Sequence, residues 1–309
     1  MLPELEAALR ASWPVQPAAL TVMNGALDGV VRVLEVVARF GDRVVVEEPG
    51  FPGFLDVLDQ WGLARVPVER DEVGMIPSRL DAALDASPVA ILLQPRTHNP
   101  SGTSMTVERA AELARVIRRK EHLGNPIVIE DDHSGQISTA PDVSLARWLP
   151  ASTVHVRGFS KSHGPDLRIS AVGGPAAIMD RVMSRRLLGP SWTSRLLQRL
   201  LSVLLSDPRS IDQVAEARRQ YHGRQHALAA ALGRAGLVHR PGDGINTWLR
   251  VRDERAAVLA LAGHGIRVAG GTPFFAVPDP ERQFVRISLG ALSSGFDELA
   301  PRLRDAARA

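Results

Sequence analysis

Residues 154–170 read VHVRGFSKSHGPDLRIS, and the setting of one lysine in this stretch organises the reading of the whole chain. Val154 and Val156 belong to an apolar run that ends near Gly158. A Ser160-Lys161 pair follows, and Arg168 stands seven residues beyond the lysine, where a second β-rich run begins. Lysine and arginine together number 37, yet only Lys120 and Lys161 are lysines. Lys120 lies in the polar segment RRKEH, where either cation would serve. At Lys161 the choice carries chemistry: a guanidinium keeps its proton, whereas a desolvated lysine loses one and attacks a carbonyl. A chance surface lysine has the same wording, so the surrounding pattern has to decide.

Working outward, the first two-thirds of the chain alternate short β-rich runs with helical patterns. Strands are expected at Ala19–Met23, Val44–Glu47, Ala64–Val68, Val89–Leu93, Pro126–Glu130, Thr153–Arg157 and Ile169–Val172. Helices are expected at Ala26–Phe40, Phe54–Trp61, Ser78–Ala86 and Val107–Lys120. In the first of these, Val30, Val33, Leu34 and Val37 recur at helical spacing and Gly41 is a natural stop. Val89–Leu93 is apolar throughout, as a strand buried on both faces requires. Strands separated by helices of this length imply an α/β fold with a mostly parallel sheet flanked by helices. After Pro175 the pattern turns helical, over Ala176–Leu188, Ser194–Leu205 and Ile211–Ala235, with Asp207-Pro208 as a break. The tail reads as a small α+β unit: strand Asn246–Val251, helix Arg255–Ala262, strands Gly265–Val268 and Phe284–Leu289, helix Phe296–Ala307. The expected division is a large domain over 14–206, and an interdomain helix with the small C-terminal domain over 207–309.

Composition narrows the function classes. A net charge of +3 with no basic run gives no nucleic-acid surface, so no nucleic-acid partner is expected through this chain. The absence of cysteine rules out disulfides and thiolate metal sites. No apolar stretch reaches the roughly 20 residues needed to cross a bilayer, and MLPELEAALRASW has no cationic leader, so a cytoplasmic protein is expected.

In an open parallel sheet, ligands sit beyond the carboxyl ends of the strands, and four clusters fall there. Asn24-Gly25-Ala26-Leu27 joins a strand to a helix, where small residues let backbone N–H groups reach a phosphate. A plain tight turn reads the same way. His98-Asn99-Pro100-Ser101-Gly102 follows Val89–Leu93; Asn99 can donate to a ligand oxygen, although the segment is also a good loop. Glu130-Asp131-Asp132-His133 ends the apolar run PIVI. Alternation puts Asp131 on the side of Ile127 and Ile129, opposite Glu130 and Asp132. A carboxylate at a buried strand end needs a cation, a metal or donors. A metal reading lacks a second histidine-rich cluster, since His222 and His226 lie in the polar YHGRQH, and no metal is expected. In the fourth cluster, Ser160 and Arg168 can hold a phosphate while Lys161 reaches an aldehyde.

Taken in order, N-G-A, P-G-F-P-G, N-P-S-G, E-D-D, S-K and then R resemble the class I/II aminotransferase family, fold type I of the pyridoxal-phosphate (PLP) enzymes. The resemblance runs from about Thr21 through Arg286. It is strongest to the aminotransferase-like domain of MocR/GntR-type regulators, which share the EDD and FSK…P-x-LR wording. It implies pyridoxal 5'-phosphate as cofactor and a Schiff base at Lys161, with Asp131 on the pyridine nitrogen. By the same resemblance Asn99 bonds the ring 3-oxygen, Phe51 stacks on the ring, and Gly25, Ala26, Ser160 and Arg168 hold the phosphate. Arg286, in FVRISLG, and Asn99 then bind the amino-acid substrate; a surface-strand arginine is the plain alternative. A homodimer is implied too, with Leu188-Gly189-Pro190-Ser191-Trp192 at the contact.

Two features depart from the family. His133 stands where a tyrosine usually bonds the ring oxygen, and the single tyrosine, Tyr221, lies in a helix. About twenty residues precede Asn24, so the N-terminal arm is expected to be truncated, with no winged helix-turn-helix ahead of it. The expected function is an aminotransferase acting on an amino acid and a 2-oxo acid. The alternatives are a PLP- and effector-binding domain of a MocR/GntR-type regulator without its DNA-binding domain, and a degenerate relic.

Overall fold

Val44, Val45 and Val46 are all fully or almost fully buried, which places their strand in the middle of a sheet covered on both faces. In the computed structural model, which describes residues 1–309, the large sheet comprises β1 (Ala19–Met23), β2 (Arg43–Glu48), β3 (Ala64–Asp71), β4 (Gly74–Met75), β5 (Ala90–Leu93), β6 (Ile127–Asp132), β7 (Thr153–Gly158) and β8 (Ser170–Gly174). These eight strands run in the order β1-β8-β7-β6-β5-β2-β3-β4. Pairings β7·β6, β6·β5, β5·β2 and β2·β3 are parallel, whereas β8 runs antiparallel to both β1 and β7.

Strand alternation divides the core. Val44, Val46, Leu92, Ile129, Val154 and Val156 face helices α2 (Ala26–Val37), α3 (Pro52–Gln60) and α6 (Ala176–Arg186). Val45, Ile91, Leu93 and Val128 face α4 (Pro77–Leu84) and α5 (Val107–Arg119). The long helix α8 (Pro208–Arg234) leads into a second, three-stranded sheet of β9 (Asn246–Arg250), β10 (Ala269–Gly270) and β11 (Phe284–Ser288), ordered β10-β11-β9. Helices α9 (Glu254–Gly263) and α10 (Phe296–Arg308) cover it over a separate apolar cluster that includes Leu249, Val285 and Leu303. No helix is long and apolar enough to cross a membrane.

Besides the two-residue β4, which was not expected, two elements depart from the sequence-based expectation. Residues Pro3–Ala11 form a helix, α1, whose Leu5 and Leu9 are buried one turn apart against Leu201 of α7 (Arg195–Ser206). The strand expected at Gly265–Val268 is displaced to Ala269–Gly270. The reason is the end of α9: Gly265, at φ +72°, and Ile266 donate backward to Ala262 and Leu261 at 2.9 and 3.0 Å. Their N–H groups cap the helix and are lost to any ladder.

Candidate active site

The carboxyl ends of β1, β2, β5, β6 and β7 share one edge of the large sheet. Because β8 runs backward, the 159–169 connection both leaves and re-enters at that edge. A cavity of about 390 Å³ opens there, and Ala26, Phe51, Asn99, Asp131, His133, Ser160, Lys161, Arg168 and Arg286 all line it. Gly25 stands against this wall: a Cβ on it would lie 2.7 Å from Arg168 Nη2. All ten candidate positions, spread from residue 25 to residue 286, meet at one place.

Asp131 and Lys161 line the same cavity. Asp131 is 4 % exposed. Its Oδ2 accepts a hydrogen bond from Gln94 Nε2 at 2.8 Å, while Oδ1 is buried with no partner. Burial pushes this carboxyl above the usual aspartate range, against the pull of His133 and the Gln94 hydrogen bond. A buried carboxylate with one oxygen free is matched to a cationic N–H donor. His133 Nδ1 lies 3.8 Å from Asp131 Oδ2 and is itself buried without a hydrogen bond.

Another part of the wall carries groups that suit an anion. Gly25 caps α2 at φ +107°, a conformation natural only to glycine, and Ala26 and Leu27 of the first turn line the wall. Asp28 Oδ2 takes the Asn24 N–H at 2.9 Å. Arg168 adopts a left-handed backbone, φ 43°, and lays its guanidinium against Gly25. Arg286 Nη1 donates to Asn99 Oδ1 at 3.2 Å, and its Nε is buried without a partner.

Glu130 and Asp132 point to the other face of β6, as alternation requires. Glu130 accepts from Ser144 Oγ, Leu145 N and His155 Nδ1 at 2.6–2.8 Å. Asp132 pairs with Arg96 at 2.5 Å. Burial works against a charge on His155, but Asp132 and Glu130 hold its pKa up to about 9. Asp132, Asp142 and His155 are close enough to hold a metal ion together. Arg96 and Arg157, at 3.2 and 3.1 Å from Asp142, already supply the countercharge.

Gln94 escaped the sequence reading. It ties two site residues together, since its Oε1 accepts from Asn99 N at 2.8 Å while its Nε2 holds Asp131. Its own N–H donates to Glu47 Oε2 at 2.7 Å. The available signal was its place as the first polar residue after the AILL strand, at a carboxyl end. Asn246 and Ser288, on paired positions of β9 and β11, were missed as well.

The sheet order and the cavity at its carboxyl edge define a fold type I pyridoxal-phosphate protein. LysN, an alpha-aminoadipate aminotransferase of Thermus thermophilus, has the same fold: the TM-score is 0.87 at 22 % identity, over 99 % of this chain and 81 % of that one. The kynurenine aminotransferase of Pyrococcus horikoshii superposes with a TM-score of 0.86 at 19 % identity, over 99 % of this chain and 80 % of that one. The family described as aminotransferase class I and II matches residues 1–303, and the chain belongs to that family. Its relatives include the vitamin B6 salvage pathway transcriptional repressor PtsJ of Salmonella typhimurium, 35 % identical over 96 % of this chain. The HTH-type transcriptional regulator TauR of Rhodobacter capsulatus is 28 % identical over 93 % of it, and the mitochondrial kynurenine/alpha-aminoadipate aminotransferase of Bos taurus 28 % over 75 %. The chain spans 68 %, 61 % and 59 % of the lengths of these three relatives. The cofactor of the family is pyridoxal 5'-phosphate, and the residues fit it: Asp131 Oδ1 lacks a donor, and the Gly25–Arg168 contact leaves no room for a side chain.

Proposed function

We propose that the chain is a PLP-dependent aminotransferase acting on an amino acid and a 2-oxo acid, with Lys161 as the residue that joins the cofactor. The observation that carries this reading is a single cavity walled by Lys161, by a buried carboxylate with a free oxygen, by a helix N-terminus and by Arg286. When bound, the cofactor supplies an aldehyde carbon and a protonated ring that accepts electrons from a bond at the substrate Cα. Asp131 Oδ1 holds the proton at the ring nitrogen. Gly25 and Ala26 N–H groups, Ser160 Oγ and Arg168 bind the phosphate, and Phe51 packs on the ring. Asn99 and His133 donate to the ring 3-oxygen. Arg286, with Asn99, grips the substrate carboxylate and so orients the bond to be broken. Lys161 Nζ would take and return the proton at the substrate Cα.

A second reading has a specific observation behind it: 35 % identity to PtsJ, a transcriptional repressor. Under it, the same cavity is the PLP- and effector-binding domain of a MocR/GntR-type regulator, and Lys161 holds the cofactor without turnover. Both readings take residues 14–206 as the cofactor domain and 207–309 as the interdomain helix and small domain, in a cytoplasmic homodimer. Leu187, Leu188, Trp192 and Leu196, each at least 67 % exposed, offer the apolar contact. Sedimentation as a monomer at micromolar concentration would end the dimer reading.

The deciding experiment adds PLP, reduces with borohydride and locates the modified peptide by mass spectrometry. Modification at Lys161, lost in Lys161→Ala, is the expected result; a colourless, unmodified protein refutes both readings. Conversion of bound cofactor to pyridoxamine phosphate by an amino acid, reversed by a 2-oxo acid, marks the aminotransferase. Binding without conversion marks the regulator domain.

A further inference from the structure

Asp243 lies in the segment HRPGDGIN, residues 239–246, which returns the chain from α8 to β9. Its carboxylate gathers donors from two distant stretches. Oδ2 accepts from Ser104 Oγ at 3.1 Å and from Ser138 Oγ. Oδ1 accepts from Thr139 N at 3.0 Å, Thr139 Oγ1 at 3.1 Å and, within its own turn, Gly244 N at 3.1 Å. The Asp243 N–H in turn donates to Gly102 O at 2.5 Å.

Each stretch so gathered carries part of the cavity wall. Gly102 and Ser104 belong to the loop of Asn99; Ser138 and Thr139 follow Asp131 and His133; Asp243 itself leads directly into Ile245 and Asn246. The seam is closely packed at Gly102, where a Cβ would lie 2.5 Å from Asn246 O and 3.3 Å from Asp243 O. Gln225 of α8 anchors the far side, donating to Gly244 O at 3.1 Å and Asn246 O at 2.8 Å. β9 then sets β11 by register: Asn246 opposes Ser288 and Trp248 opposes Arg286. Fixing the turn at Asp243 therefore fixes where Arg286 stands relative to Asn99 and Asp131.

We propose that Asp243 is a positioning residue that latches the substrate-binding strands β9 and β11 to the cofactor-binding loops of the large sheet. The assignment of those strands to substrate rests on the function proposed above. The latch needs an acceptor on each side of residue 243: Oδ1 meets the N–H groups of residues 139 and 244, which can only donate, and Oδ2 meets the hydroxyls of residues 104 and 138. Alanine at this position removes every one of these side-chain bonds.

The test compares wild type with Asp243→Ala and, in case that variant fails to fold, with the double variant Ser138→Ala/Thr139→Ala, which removes two of the same bonds, those from Ser138 Oγ and Thr139 Oγ1, from the other side. The ligand probe is 2-methylalanine, which has no proton at Cα to lose, titrated into PLP-loaded protein by absorbance. Loss of bonds to a charged acceptor should weaken the probe about tenfold to a hundredfold, with PLP affinity changed by less than about twofold. In the cofactor-free protein, amide hydrogen exchange should rise together in residues 99–104, 138–140 and 243–247. Unchanged probe affinity, an equal loss of PLP affinity, or faster exchange confined to residues 243–247 would overturn the latch. Failure of wild type to bind PLP would refute the proposed function alone, since the exchange measurement still judges Asp243.

Discussion

Replacing Asp131 with asparagine removes one charge and almost no volume, and two properties should move in opposite directions. In the free protein the carboxyl is buried, Oδ1 has no partner, and burial pushes its pKa up. A group raised in this way favours the folded state while protonated. Its ionised form therefore costs stability, and the cost grows as pH rises from below the ordinary aspartate value through the raised one. Above the raised value the cost is present in full. Asparagine removes it and keeps the bond from Gln94 Nε2, because an amide oxygen accepts at the same 2.8 Å position. The variant without cofactor should be more stable by about 1 kcal/mol, a gain limited by the unpaired amide N–H that replaces Oδ1. Cofactor binding should suffer instead. A charge-assisted bond to the ring N–H contributes about 1–2 kcal/mol more than a neutral one, so PLP affinity should fall about 5- to 30-fold. Urea unfolding of the free protein gives the first number and PLP titration gives the second. A variant that is less stable without cofactor yet binds PLP as tightly as wild type refutes the assignment of Asp131 to the ring nitrogen.

Gly25→Ala drives a Cβ to 2.7 Å from Arg168 Nη2 at a backbone angle that alanine resists. It should weaken PLP about tenfold or more and weaken pyridoxal, which has no phosphate, far less; equal losses for the two would remove Gly25 and Arg168 from the phosphate site. His155 tests the opposite face of β6. Its pKa is held up to about 9 by Asp132 and Glu130 against burial, so its contribution is complete below its ordinary value of 6.5 and is lost as pH rises through 9. Wild type should lose up to about 3 kcal/mol across that window, and His155→Gln should flatten the slope. Parallel stability curves for the two proteins would contradict the charged state of His155.

Most of the large sheet was legible because its strands are buried on both faces and its helices are amphipathic. Val44–Val46 and Ala90–Leu93 are apolar without interruption, and Val30, Val33 and Leu34 keep one helical face. The reversed direction of β8 could also have been read. Residues 159–169 are too few, and too rich in glycine and proline, to carry a helix across the sheet, whereas a parallel return needs a dozen or more residues. The pairing of β1 with β8 had no such signal, since nothing in Ala19–Met23 names a partner about 150 residues away. Helix α1 was hidden for another reason. With nine residues it is too short to form alone, and what holds it is burial of Leu5 and Leu9 in an apolar cluster with Trp13 and Leu201.

The site divides along the same physical line. Residues at strand ends were legible because a parallel sheet delivers its carboxyl ends to one place: Gly25, Asn99, Asp131 and Ser160 each sit within a few residues of such an end. Arg286 was reached through the family resemblance; alternation adds only that it faces away from the buried Val285 and Ile287. Gln94 and Asp243 were not, because each acts through partners set by tertiary structure. Gln94 bonds residues 5 and 37 positions away, and the side-chain partners of Asp243 lie 104 to 139 positions away. His133 is the boundary case. Its strand-end position puts it in the cavity wall, yet only coordinates place Nδ1 at 3.8 Å from Asp131, close enough for its charge to act on that carboxyl. Within the proposed function, the side chain that donates to the ring 3-oxygen then stands beside the carboxylate that faces the ring nitrogen, a proximity that no single strand-end residue spells out in the sequence.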